Sequence, residues 1–159
     1  MRKLKLYLDT SVISHLKAPD TPEKMAETLA FWEILKTEKY DVVISDVVME
    51  EINGCGEPKR TFMNRKIAEI NPTVVDTNIE AENLAEEYVT KKVLPRKSID
   101  DCLHIALSVI NACDYLVSWN FRHLVNVQTE EGVKVVNVIN HYREIRIVSP
   151  NMFLKKENL

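Results

Sequence analysis

Residues 5–14 read Lys5-Leu6-Tyr7-Leu8-Asp9-Thr10-Ser11-Val12-Ile13-Ser14, or KLYLDTSVIS. A short aliphatic run over 4–8 ends in a carboxylate, and two hydroxyl residues follow at once. Asp is a common N-cap, so Asp9 is suited to start a helix at Thr10 or Ser11. It also stands at the carboxyl end of a strand, where open α/β sheets bind their ligands. The stretch by itself leaves both roles open.

The rest of the chain extends this strand-then-helix pattern. Thr21-Pro22-Glu23 carries the signs of an N-cap, an N1 proline and an acidic first turn for a helix over 22–38. Asp41–Ser45 is a second apolar strand, leading into a helix over 46–52 that Asn53-Gly54 ends. Further helices are expected over 58–70, 78–92, 98–113 and 129–143, with strands at 73–75, 114–118 and 145–148. Short β-branched runs alternating with longer helices predict an α/β domain with a mainly parallel sheet.

The 159 residues are expected to form one domain over 1–159 with a sizeable core. Hydrophobic residues make up 45% and charged residues 28%, ordinary globular usage. A net charge of −3 gives no overall basic character, so nucleic-acid binding would need a local patch. Three cysteines without a CxxC pair read as buried thiols in a reducing compartment. Neither an export leader nor a membrane span is expected, which predicts a cytoplasmic protein. Gly54, Gly56 and Gly132 are the only glycines, so dinucleotide-binding and P-loop glycine motifs are excluded.

Several polar residues fall near the ends of the predicted strands. Glu51 follows Val47 by four residues and Val48 by three, so it shares their apolar helix face. A carboxylate there is costly unless it is paired, protonated or metal-bound, or reaches water at the edge. Asp100 and Asp101 open the helix over 98–113, where Ser98 could N-cap and an acid could complete a capping box. Periodicity does not choose which of the two faces the sheet. Ser118-Trp119-Asn120 closes a strand-like run, either as an ordinary turn or as a polar amide on Asp9's end of the sheet. His104 and His123 match no metal-binding spacing and read as satisfied or exposed residues. Carboxylates at Asp9, Glu51 and Asp100 or Asp101 sharing one small cleft would need a cation among them. Oxygen-only ligands select a hard metal, Mg2+ or Mn2+, which points to phosphoryl chemistry.

Four segments, LYLDTSVIS, ISDVVMEEI, DDCLHIALSV and YLVSWNFRHL, run in order from residue 6 to residue 124. With them the chain resembles the PIN-domain nucleases, in particular the VapC-like toxin ribonucleases of toxin–antitoxin pairs. The tail IRIVSPNMFL is also similar to one PIN subgroup. The resemblance implies a three-layer α/β/α sandwich and a metal-dependent endoribonuclease cleaving RNA. It places the acidic positions on Asp9, Glu51 and Asp101, with Asn120 at the fourth. Asp9, Asp101 and Glu51 would bind Mg2+ or Mn2+, supported by Thr10, Ser11 and Ser118. A cognate antitoxin and a homodimer are implied as partners. For the RNA, Arg60, Arg65, Lys66, Lys91, Lys92, Arg96, Lys97 and Arg122 are the candidate cations.

Rival chemistries fit less well. A haloacid-dehalogenase-type phosphatase needs a second Asp two residues after the first, and Ser11 stands there. A receiver domain needs an acidic pair that Leu8-Asp9-Thr10 does not supply. A PIN-like domain that binds RNA or a partner without cutting is the remaining alternative. The apolar residues Met25, Leu29, Phe31 and Trp32 suit core packing or a dimer interface.

Overall fold

The computed structural model describes residues 2–155. Five strands, β1 (Lys5–Leu8), β2 (Asp41–Ser45), β3 (Thr73–Val75), β4 (Tyr115–Val117) and β5 (Arg146–Val148), form one parallel sheet. Their order is β3-β2-β1-β4-β5. The helices are α1 (Thr10–Ser14), α2 (Pro22–Lys36), α3 (Asp46–Asn53), α4 (Lys59–Ile70), α5 (Ile79–Thr90), α6 (Ile99–Ile110) and α7 (Val127–Ile139). They complete the three-layer α/β/α arrangement. The expected parallel sheet is therefore present, and it is parallel throughout.

Why β1 lies at the centre follows from its composition. Leu6, Tyr7 and Leu8 are fully buried, as a strand covered on both faces requires, and Leu116 and Val117 of β4 match them. Tyr7 sits opposite Val43 on one side and Leu116 on the other. At the sheet's edge, β3 exposes Thr73 and Val74.

The chain steps outward from β1 through β2 to β3, then returns to the other side of β1 for β4 and β5. Strand order thus reverses between β1 and β4, and the crevice beyond their carboxyl ends is where such sheets bind ligands. Asp9 and Ser118 are the first residues after those two strands.

Phe31 and Trp32 are buried in the core while Leu29 is 37% exposed, so α2 serves the core. Local hydrogen bonds shift several expected boundaries. Asn126 accepts a bond from the Thr129 amide (2.8 Å) and starts α7 two residues early, and His141 at φ 63° stops it before 143. Ser98 belongs to a 3-10 turn (Arg96–Ser98) and makes no capping bond, so the capping-box reading of α6 is corrected. Ala112 at φ 57° ends the chain's helical course before 113. Thr21 makes no cap either: its hydroxyl donates to the Ala18 carbonyl. Cys102 and Cys113 are buried free thiols as expected, whereas Cys55 is only partly buried.

Candidate functional site

Asp9 has an extended backbone (φ −80°, ψ 169°) and caps α1. Its Oδ1 accepts the Ser11 amide at 3.0 Å and the Ser11 hydroxyl. Its Oδ2 accepts the Ser118 hydroxyl at 2.8 Å, joining the ends of β1 and β4 across the reversal in strand order. Ser11 Oγ accepts the Trp119 amide (2.9 Å), and Ser118 Oγ accepts the Asn120 amide (2.9 Å). Asp9 is only 4% exposed. Burial raises its pKa and the Asp101 charge adds to that, although His104 and the two serines pull the other way. Asp9 is therefore a helix cap and also a carboxylate that burial makes harder to ionise.

Glu51 is not held on a buried apolar face as its spacing suggested. It stands at the rim of α3, its side chain 41% exposed. Its Oε1 accepts a hydrogen bond from His104 Nε2 at 2.7 Å. The buried His104 places Nδ1 2.7 Å from the Tyr7 hydroxyl, which lies 2.7 Å from Ser45 Oγ. Ser45, Tyr7, His104 and Glu51 thus form a chain from the core to the rim. Burial works to raise the Glu51 pKa, yet the bond to His104 and its charge bring it below the ordinary carboxylate value. Burial likewise works to lower His104, but Glu51 and the Asp9 charge hold it above its ordinary value.

These shifts set a pH window. A histidine raised on folding contributes stability that is complete below its unfolded pKa and is lost as pH rises through the folded value. A carboxylate lowered on folding contributes stability above its unfolded pKa, lost as pH falls through the folded value. The pair should be strongest between the two. In an NMR titration, the His104 imidazole is expected to titrate above the ordinary value of about 6.5. Glu51→Gln should bring its midpoint down, and an unchanged midpoint would disprove the coupling.

Asp101, in the first turn of α6, is partly buried and Asp100 is exposed, so Asp101 is the one that faces inward. Asp101 Oδ2 pairs with His123 Nδ1 at 2.9 Å. Asn120 Oδ1 accepts the His123 amide at 2.9 Å, so the carbonyl expected to face a ligand shapes the turn that presents His123. Thr10 Oγ1 is buried and has no hydrogen-bond partner among the described residues. It lies close enough to Glu51 to favour that residue's ionised form.

No protein-family model and no curated protein sequence matches the chain. Solved structures do. A crystal structure of Mycobacterium tuberculosis VapC20, described as a sarcin-ricin loop cleaving toxin, matches with a TM-score of 0.58 and 16% identity. That match covers 74% of this chain and 92% of VapC20. VapBC2 from Rickettsia felis, bound to a DNA fragment from its promoter, matches with a TM-score of 0.57 and 12% identity. Here 92% of this chain and 98% of the other are covered. The chain has a VapC-like PIN-domain fold. At these identities the likeness is one of fold.

In this VapC-like fold the three acids do not form a ready metal cage. Among the described residues no three His, Cys, Asp or Glu side chains are close enough together to hold a metal ion. The expected convergence is corrected: Glu51 is drawn to His104 and Asp101 to His123. The donors still fit Mg2+, which is commonly bound through one or two carboxylates while water and phosphate complete its shell. Asp9 is buried and subject to the Asp101 charge, and Thr10 places a buried oxygen at the same strand end. Glu51 fits the second rank around such an ion better than the first.

The site also contains Tyr7, which sequence reasoning passed over, and His104 and His123, which it read as satisfied or exposed residues rather than as partners of the acids. The one available clue is that His104 follows Asp101 by three residues, one helical turn. Of the expected RNA-binding cations, Arg60, Lys66 and Arg96 are engaged by Glu57, Glu69 and Glu86. Arg65, Lys91, Lys92, Lys97 and Arg122 make no ion pair among the described residues.

Proposed function

We propose that the protein is a metal-dependent endoribonuclease, the toxin of a type II toxin–antitoxin pair. The observation that carries this reading is Asp9, a buried carboxylate at the reversal in strand order, whose pKa burial raises and to which the Asp101 charge adds. Asp9 and Asp101 would hold Mg2+ or Mn2+. A bound ion of this kind supplies charge neutralisation at the phosphodiester and a lower pKa for attacking water.

The chain's own residues do the rest. Ser11 and Ser118 fix both oxygens of Asp9. His123 orients Asp101, and the Asn120 carbonyl fixes the turn from which His123 reaches it. Glu51, held by His104 and half open to solvent, takes the proton from the attacking water. Thr10 offers a hydroxyl to water or phosphate. Lys91, Lys92 and Arg122 attract the RNA backbone.

Partners follow from fold and surface. The R. felis neighbour is a VapBC complex, and α7 exposes Val127, Val135, Val138 and Ile139, an apolar strip suited to an antitoxin or a second copy. Among the described residues no helix is long and apolar enough to cross a membrane. We place the protein in the cytoplasm with its RNA. A second reading, an RNA- or partner-binding domain that does not cut, is favoured by the histidine-tethered acids.

End-labelled RNA separates the two. Cleavage in Mg2+ or Mn2+ is expected, with none in chelator. Asp101→Asn should lower the rate more than ~100-fold, because even residues that merely support metal ligands are commonly worth ~10–100-fold. RNA binding without cleavage in either metal would establish the second reading.

A further inference from the structure

The loop after β4 carries an aromatic pair that the proposed chemistry does not use. Trp119 is 5% exposed, its indole Nε1 donating to Thr28 Oγ1 at 2.8 Å and its amide to Ser11 Oγ. Phe121 meets it edge to face, centroids 6.0 Å apart, and is itself 45% exposed. Lys24 Nζ from α2 lies 5.2 Å from the Phe121 centroid and 5.7 Å from that of Trp119. Asn126 Nδ2 donates to the Phe121 carbonyl at 3.0 Å, holding the backbone that presents the ring. Phe121 also lines an open groove of about 350 Å³ with Leu94, Arg122, Asn126 and Gln128.

The placement connects this pair to the proposed centre. Trp119 bonds to Ser11, Ser11 bonds to Asp9, and Phe121 follows Asn120 directly. A half-exposed ring with a cation on one side and a groove on another is an arrangement with which proteins bind single-stranded nucleic acid. The ring stacks on a base and the cation meets phosphate. Such stacking requires a base that is out of its helix.

We infer that Phe121, backed by Trp119 and Lys24, is a stacking platform for one unpaired base of the substrate next to the cleavage position. This rests on the ribonuclease reading and adds to it a residue that positions the substrate.

Binding of a fluorescein-labelled single-stranded oligoadenylate, measured by anisotropy in chelator so that nothing is cut, tests the inference. Phe121→Ala is expected to weaken binding about 5- to 150-fold, the range for one stacked base. Phe121→Trp should retain affinity, which separates loss of stacking from loss of folding. Lys24→Gln should reduce the slope of log affinity against log salt by about 1. Replacing successive bases by abasic sites should reveal one position whose loss reproduces Phe121→Ala and adds nothing to it. If Phe121→Ala binds like the wild type, or no abasic position matters, the platform is overturned and the ribonuclease reading stands. If the wild type neither binds nor cuts RNA, both fall.

Discussion

Asp9→Asn is expected to raise the melting temperature at neutral pH by about 2–4 °C, the effect of ~1 kcal/mol in a domain of this size, while removing RNA cleavage. Asp9 is buried and its pKa is raised, so its ionised form is less favourable in the folded than in the unfolded chain. A carboxylate raised on folding destabilises the protein as pH rises through the folded value. Asparagine removes that charge. It keeps an oxygen for the Ser11 amide and can present its amide group to Ser118 Oγ, so the cap of α1 survives. The gain should shrink in acid, where Asp9 is protonated in both states, and calorimetry across pH would show this. Stability gained with activity lost is the usual result of replacing a strained functional residue. An Asn variant less stable than the wild type at neutral pH would mean that Asp9 serves structure alone.

His104→Ala should have the largest effect on stability. The imidazole is 2% exposed, and its loss opens a cavity, unpairs Glu51 and leaves the Tyr7 hydroxyl with Ser45 alone. Cavity formation and a broken buried hydrogen bond together cost about 3 kcal/mol. At this chain length that lowers the melting temperature by about 6–12 °C. His104→Gln, which can still bridge Tyr7 and Glu51, should recover part of the loss. Cleavage should fall by about 10- to 100-fold even where the variant remains folded, because Glu51 loses the partner that holds it in place. Unchanged cleavage would remove Glu51 from the mechanism.

Much of the fold was legible because it is local. The runs at Lys5–Leu8 and Asp41–Ser45 are continuous apolar strands, and such strands belong at the centre of a parallel sheet. Asp9 was legible as a candidate through its place at a strand end, and the structure makes it a helix cap that also bonds to Ser118 at the end of β4. The choice between Asp100 and Asp101 was not, since neighbours on a helix differ by only about 100°. Glu51 was singled out by its spacing, but the reason was incomplete. What holds it is His104, 53 residues away, itself positioned by Tyr7, another 97 residues distant in sequence. Pairings over such separations depend on how α3, α6 and β1 pack, which no local pattern encodes. The same limit hid His123, whose approach to Asp101 depends on the turn that Asn120 shapes. The ends of α6 and α7 moved because caps and left-handed residues (Asn126, Ala112 and His141) outweighed apolar periodicity.

The most direct test of the central claim, that Asp9 and Asp101 form a divalent-metal centre, is anomalous diffraction from a crystal of the wild-type protein soaked in Mn2+. The expected result is one anomalous peak at the carboxyl ends of β1 and β4, contacted by Asp9 and Asp101, with Glu51 still bonded to His104. No peak between those carboxylates, or a peak only elsewhere on the molecule, would contradict it.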